Sequence, residues 1–134
     1  MGGVSERLIG AIRSRLDRDG TLPCAAAFRV AEAIGVEPLE VGQTADGLGI
    51  KLSRCQLGLF GYGPKAEGRH KVVRPAERVD PGLAQAIRDS LVEGKLACRT
   101  AWEIAEALRI PKMEVAAAAE ALGVKIFRCQ LGAF

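Results

Sequence analysis

The sequence lacks several features that would point to an enzyme or a membrane protein. It contains a single histidine, His70, so no Ser-His-Asp or Cys-His set can be assembled. No apolar run approaches the roughly eighteen residues of a membrane span, and the N-terminal segment lacks the basic start and apolar middle of a signal peptide. We therefore expect a non-enzymatic, cytoplasmic protein with no membrane partner, whose cysteines are thiols and not disulfides.

The sequence also has only a small net charge. The 134 residues include 19 basic and 16 acidic side chains, for a net charge of +3. Most of the excess lies in residues 61–80, where five basic residues face three acidic ones. A protein that binds nucleic acid mainly by neutralising phosphates is usually more basic. The charge pattern weakens the case for a nucleic-acid partner without excluding it.

The most informative feature present is an internal repeat. Residues 24–60 align without gaps with residues 98–134 at an offset of 74, and 17 of these 37 pairs are identical. The sequence therefore predicts a tandem duplication, with a first repeat over 1–60, a basic linker over 61–80 and a second repeat over 81–134. Modules this small have thin cores, so we expect the repeats to pack together or the chain to form a homodimer.

Each repeat is predicted to contain three helices and a short strand. Apolar residues recur at helical spacing, as in Ala27, Val30 and Ala31. Gly20 and Gly94 are predicted to end the first helices. The third helices are predicted over 37–47 and 112–121, and alternating strands over 50–55 and 124–129.

The second and third helices resemble the helix-turn-helix of winged-helix proteins. That motif needs a small residue where the helices cross, and Ala31 and Ala105 stand there. A sharp turn follows at Gly35, and Val41 and Val115 are the expected buried anchors of the third helices. The resemblance implies a mainly α fold with short β strands, made of two tandem winged-helix-like (trihelical helix-turn-helix) modules.

The sequence departs from that family in two places. Arg109 stands where the first repeat has Gly35, so we expect its turn to carry the cost of a left-handed conformation or to take another shape. The second repeat stops at Phe134, and residues 58–63 are few for a returning strand in the first repeat. We therefore expect the wings to be truncated.

The winged-helix resemblance implies DNA binding and transcription regulation. Side chains suited to base reading on the third helices are few, namely Gln43, Thr44 and Lys112. The linker adds candidates for a basic arm with one stacking aromatic, namely Tyr62, Lys65, Arg69 and Lys71. The alternatives are that the third helices serve as scaffold or protein-contact faces, and that the linker is a solvated tether. Residues 71–73 could also form a short strand.

The four cysteines are the most specific candidates for chemistry. Cys24 and Cys98 begin the second helices, and Cys55 and Cys129 lie in the strands. Since the residues before the second helix pair with the strand after the third in this topology, Cys24 and Cys55 are expected to lie near each other. Three interpretations remain open: buried packing residues, a redox-sensitive dithiol in each repeat, or a metal or iron–sulfur site shared by all four thiolates. No CxxC spacing supports the last one.

Two functional hypotheses follow from the sequence. The first is a DNA-binding or transcription-associated protein of the winged helix-turn-helix type. The second is a non-enzymatic protein-interaction or thiol- or metal-sensing module that keeps the fold without base readout. The acidic, alanine-rich third helices favour the second hypothesis, whereas the basic linker favours the first.

Overall fold

The computed structural model describes residues 2–62 and 71–134, and its regular structure is mainly helical. The helices are α1 (Gly2–Arg13), α2 (Cys24–Ile34), α3 (Pro38–Gly47), α4 (Pro81–Asp89), α5 (Cys98–Leu108) and α6 (Lys112–Ala121). The strands are β1 (Leu22–Pro23), β2 (Leu52–Ser53), β3 (Leu96–Ala97) and β4 (Ile126–Phe127). The prediction of a mainly α chain with short β strands is confirmed. None of the helices in the described ranges is long and apolar enough to cross a membrane.

The second helix of each repeat forms where apolar residues recur at helical spacing. Ala27, Val30 and Ala31 are buried on α2, and Gly35 ends the helix in the left-handed conformation with a φ of +82°. At the same position after α5, Arg109 has a φ of +57°. A residue with a Cβ thus adopts a conformation that favours glycine, so the turn keeps its shape at a cost in free energy.

The first helix of each repeat ends earlier than its glycine predicts. α1 and α4 end several residues before Gly20 and Gly94, so the prediction that these glycines end them is wrong. Both glycines have a positive φ, but they lie in later turns. After α1, the Asp19 carboxylate accepts hydrogen bonds from the backbone and the hydroxyl of Thr21. Such local side-chain bonds compete with helical hydrogen bonding.

Each repeat contains one short parallel ladder. It pairs the residues before the second helix with the residues after the third helix. β1 pairs with β2 through Leu22 and Leu52, and β3 pairs with β4 through Leu96 and Ile126. Only two residues of each predicted six-residue strand form regular pairing. The ladders hold the start of the second helix beside the segment that follows the third.

Each repeat then ends in a segment that we call its tail, residues 54–60 in the first repeat and 128–134 in the second. Each tail turns tightly, because the Gly58 N–H donates to the Cys55 carbonyl at 2.9 Å and the Gly132 N–H donates to the Cys129 carbonyl at 3.0 Å. Within the described ranges, no strand returns along β2 or β4. A turn therefore occupies the place where a winged-helix protein has its hairpin.

The two tails are exchanged between the repeats. Leu131 of the second tail is 2% exposed and packs in the core of the first repeat, among residues of α1, α2 and α3. Leu57 of the first tail is fully buried in the core of the second repeat. An ideal Cβ on Gly42 of α3 would lie 1.8 Å from the Leu131 carbonyl oxygen, so the second tail lies directly against this helix.

An approximate twofold axis relates the repeats. The rings of Phe28 and Trp102 lie 4.3 Å apart between centroids, and those of Phe60 and Phe134 lie 6.1 Å apart. Both pairs join positions that are equivalent in the duplication. Because only residues close to a twofold axis can contact their own equivalents, the axis passes through both aromatic pairs.

The linker from residue 71 onward contacts the second repeat, whereas Gly61 and Tyr62 bond to the first tail. Val73 is buried in the core of that repeat, and the Ala76 N–H donates to the Ala117 carbonyl of α6 at 3.0 Å. The short strand predicted over 71–73 does not form; the Val72 and Val73 N–H groups both donate to the Gly58 carbonyl instead. Val73 and Ala76 therefore anchor residues 71–80 to the second repeat, while most of the segment is exposed to solvent.

We expect Arg109→Gly to raise the free energy of unfolding by about 0.5–1 kcal/mol. Relief of a left-handed strain of roughly 1–2 kcal/mol outweighs the added freedom of glycine in the unfolded chain. Urea denaturation followed by the fluorescence of Trp102, the only tryptophan, measures the change. The matched control Gly35→Ala places a Cβ at the equivalent position, where no atom obstructs it, and should destabilise by strain alone. A loss of stability in Arg109→Gly would contradict this account.

Gly42→Ala should lower the free energy of unfolding by about 1–3 kcal/mol, because the new Cβ meets the backbone of the exchanged tail. Gly47→Ala in the same helix is the matched control, since no atom lies within 4 Å of its added Cβ. The control should be at least as stable as the unmodified protein because alanine favours helix. If both variants were equally stable, the second tail would not lie against α3.

Candidate thiol centre at the junction of the repeats

The strand pairing brings the two cysteines of each repeat towards each other. In the first repeat Pro23 pairs with Ser53, and Cys24 and Cys55 follow these residues closely on the two segments. The β3–β4 ladder produces the same arrangement in the second repeat. The proximity expected from the order of the elements is therefore present in the fold. We call Cys24 and Cys98 the helix cysteines, and Cys55 and Cys129 the tail cysteines.

The exchange of tails then joins the two pairs. Cys55 packs in the same core as Cys98, whereas Cys129 packs against the core that contains Cys24. Each core thus holds the helix cysteine of its own repeat and the tail cysteine of the other. The other three thiols also disfavour ionisation of Cys24. We refer to this group of four side chains as the thiol centre.

Burial dominates the acid–base behaviour of the thiol centre. It raises the pKa of Cys24 from the ordinary value of 9.0 to about 12, with a smaller contribution from the neighbouring thiols. The pKa values of Cys55 and Cys98 are raised for the same main reason. Cys129 is only half-buried. Removal of water disfavours the charged thiolate, so Cys24, Cys55 and Cys98 are neutral thiols at physiological pH.

Donors from the tails partly oppose this effect of burial. The backbone amide of Gln56 lowers the pKa of Cys24. In the second repeat, the Gln130 side-chain Nε2 donates to the Cys98 sulfur at 3.6 Å, and this bond and the Gln130 backbone amide lower the pKa of Cys98. An N–H donor stabilises a thiolate more than a thiol. The glutamine after each tail cysteine therefore supplies a donor to the helix cysteine of its own repeat.

A residue in a strained backbone conformation precedes each tail cysteine. Arg54 and Arg128, which directly precede them, have φ values of +48° and +53°. Non-glycine residues in this conformation cost free energy and persist only where the surrounding structure enforces them. Around Cys55, the N–H groups of Leu57, Leu59 and Phe60 also lower the pKa of the thiol. Both repeats keep the strained arginine, so the direction of the tail cysteine is a shared feature of the fold.

The thiol centre is not a preformed coordination site. All four cysteines are free thiols. Over residues 2–62 and 71–134, no group of three or more His, Cys, Asp or Glu side chains is arranged to hold a metal ion. Zinc in structural sites takes four ligands, with thiolate sulfur among the preferred ones. The residue types and their number fit such an ion, but the sulfurs would have to move together to bind it.

The linker residues predicted to contact DNA are partly engaged within the chain. The Tyr62 hydroxyl donates to the carbonyl of the first tail cysteine at 2.6 Å, which ties it to the thiol centre. Lys71 forms an ion pair with Glu120 of α6. Lys65 and Arg69 lie outside the described residues. Tyr62 and Lys71 therefore have structural partners that the sequence did not predict.

The predicted reading residues of the third helices are not gathered on one open face. Gln43 is exposed on α3, Thr44 is half-buried, and the Lys112 ammonium lies 4.7 Å from the centroid of the Trp102 ring. Most of the alanine run 116–119 on α6 is buried. These helices lie against the other repeat's tail and the linker, which agrees with the scaffold interpretation of their sequence.

Sequence reasoning missed the residues that support the thiols. The signal was present, because Gln56 and Gln130 are identical in the two repeats and follow a cysteine in both. Their donor role depends on which sulfur each amide faces, and this follows from the strand pairing. Tyr62 lies outside the aligned residues 24–60, so the duplication gave no indication of its hydrogen bond to the first tail.

The resemblance of α2 and α3 to a helix-turn-helix depends on a few residues. Ala31 and Val41 are buried, and Gly35 is left-handed, as such a motif requires. These features also occur in other pairs of packed helices, so by themselves they do not assign a family. Comparisons with family models, with curated proteins and with solved structures find no match to this chain.

Proposed function

We propose that this chain is a non-enzymatic metal-sensing module, built from two winged-helix-like repeats, whose thiol centre binds one thiophilic metal ion. The observation that carries the proposal is the placement of four thiols, two from each repeat and three of them buried, where the exchanged tails cross. Zn²⁺ and other soft cations favour thiolate ligands, and four is the usual number for zinc.

The burial and the raised pKa values of these thiols favour metal binding over sensing of oxidants. Cysteines that sense oxidation are accessible and have a lowered pKa, because the thiolate is the reacting species. Here Cys24, Cys55 and Cys98 are each at most 6% exposed, and their pKa values are raised. A bound cation removes the cost of burying thiolates, since its charge compensates theirs. Each thiol that becomes a ligand releases one proton.

Because of the position of the tail cysteines, metal binding would affect the contact between the repeats. Cys55 stands two residues before Leu57, and Cys129 two residues before Leu131, and each leucine is buried in the opposite repeat. An ion that draws the four sulfurs inward would therefore tighten both crossings at once. A tightened junction is a change that a partner protein or a DNA site can detect, which is the property required of a sensor.

Reduced protein handled without oxygen should bind one Cd²⁺ or Zn²⁺ per chain. Each of Cys24→Ser, Cys55→Ser, Cys98→Ser and Cys129→Ser should weaken binding by at least about tenfold, because one shared ion uses ligands of both repeats. The thiolate-to-metal absorption band of Cd²⁺ and the Trp102 fluorescence measure binding. Affinity should rise with pH, since protons compete for thiols whose pKa values are raised.

The exposed variant Glu93→Gln is the control for unspecific effects of substitution, and circular dichroism shows that each variant is folded. If each chain bound two ions, and the cysteine variants of one repeat abolished the binding of only one of them, the chain would have two separate sites and no shared centre. Absence of any stoichiometric uptake by fully reduced protein would overturn the metal proposal.

DNA binding is a second candidate function, favoured by one feature of β4. The Phe127 ring lies near two cations, with the Lys95 ammonium 5.6 Å and the Arg128 guanidinium carbon 4.7 Å from its centroid. In the first repeat Ser53 replaces the ring, and the equivalent arginine is paired with Asp17 at 3.1 Å. Contact with an aromatic ring orders cations at little cost. The second repeat thus presents ordered positive charge where the first repeat has an ion pair.

If this face binds DNA, the double variant Lys95→Thr with Phe127→Ser, which introduces the residues of the first repeat, should weaken binding. The slope of log affinity against log salt should fall by about 1, since one phosphate contact is lost. Fluorescence anisotropy on random duplex DNA at about 50 mM salt measures both quantities. Lys51→Gln in the first repeat is the control for general loss of charge. Undetectable affinity of the unmodified protein under these conditions would exclude the DNA function.

A further inference from the structure

An apolar cleft of about 550 Å³ opens where the first tail meets α6, β4 and the end of the second tail. Its apolar lining includes Leu59, Phe60, Ala116, Ala119, Ile126 and Phe134. Three charged side chains, Lys71, Glu120 and Lys125, complete the lining. Binding sites for small molecules are typically concave, mainly apolar and of about 300–1,000 Å³, with a few polar groups that orient the ligand. The cleft has each of these properties.

The twofold arrangement produces a second cleft of about 460 Å³ on the other side of the aromatic pair. Gly42, Asp46, Lys51 and Leu52 line it, and these residues are equivalent to Ala116, Glu120, Lys125 and Ile126 of the larger cleft. Phe60 contributes to both clefts. The fold therefore generates a cleft with one lysine and one carboxylate twice, and the two copies can be compared directly.

The charges of the two clefts differ in one respect. In the larger cleft, the carboxylate of Glu120 is paired with Lys71 from the linker. This pairing leaves the exposed ammonium of Lys125 as the excess charge among the lining residues. In the smaller cleft, the described lining residues include Asp46 and Lys51 and no third ionic residue. Counting the described lining residues of these two clefts, the larger one combines an apolar lining with a net positive charge and the smaller one has no net charge.

We propose that the larger cleft binds a small apolar molecule that carries one anionic group, of the class of medium-chain or aromatic carboxylates. The apolar part would lie against the alanines of α6 and the Phe60 and Phe134 rings, and the carboxylate would contact Lys125. A cationic ligand is disfavoured by the net charge, and a multiply charged anion would leave charge unpaired in an apolar site. Because both tails line the cleft, its occupant would add a contact across the junction of the repeats. The proposal is independent of metal binding at the thiol centre.

Calorimetric titration with octanoate, octylammonium and octanol tests this assignment on reduced, metal-free protein. Octanoate should bind with one molecule per chain and more tightly than the other two ligands. Lys125→Gln should weaken octanoate binding by about tenfold, because a charge-assisted contact is lost. Lys51→Gln, the equivalent change in the smaller cleft, should leave the affinity unchanged. Glu120→Gln should strengthen octanoate binding, since it frees Lys71 and adds to the positive charge.

Lys125 and Lys51 are both exposed, so neither variant is expected to unfold the protein, and circular dichroism verifies this. Equal affinity for octanol and octanoate would show that the cleft selects only for apolarity and would overturn the assignment. Equal losses in Lys125→Gln and Lys51→Gln, or the absence of octanoate binding, would overturn it as well. Repeating the titration with Zn²⁺ present shows whether the two sites interact, and a failure of metal binding leaves the result for octanoate unaffected.

Discussion

Leu57 and Leu131 each lie in the core of the repeat to which they do not belong by sequence. A module of fewer than sixty residues buries little apolar surface on its own. Full burial of a leucine contributes about 1.5–3 kcal/mol, and two such contributions are a large part of a net stability of about 5–15 kcal/mol. Each repeat therefore depends on the other for part of its core. The junction between them belongs to the folded core and is more than an interface between two finished domains.

The chemistry of the cysteines follows from the same exchange. The strand ladders by themselves bring each tail cysteine towards the helix cysteine of its own repeat. Because the tails cross, Cys55 shares a core with Cys98, and Cys129 lies against the core that holds Cys24. Four neutral thiols can be buried together without a charge penalty, whereas four thiolates cannot. Because burial raises their pKa values, Cys24, Cys55 and Cys98 are held in the neutral form.

Much of the local structure could be predicted from the sequence, but the exchange could not. Helical spacing identified α2, and the order of the elements indicated that Cys24 and Cys55 would meet. Periodicity indicates that a residue is buried but does not indicate which residues it packs against. The sequence is therefore equally compatible with Leu57 in the core of the first repeat and in that of the second. For the same reason Gly42 looked like an ordinary helix position, although its missing Cβ makes room for the second tail. Lys112 looked free for DNA because nothing in the sequence places it over Trp102.

The pattern of identity between the repeats is explained by these contacts. Each tail must place a leucine in the opposite core, a thiol at the centre and an amide against the helix cysteine, and the segment Arg-Cys-Gln-Leu-Gly is identical in both copies. The axis positions tolerate exchange of one aromatic residue for another, as in Phe28 and Trp102. The symmetry is imperfect at the tail cysteines, since Cys55 is buried while Cys129 is half-buried. Of the four thiols, that of Cys129 is therefore the one that solvent reaches most readily.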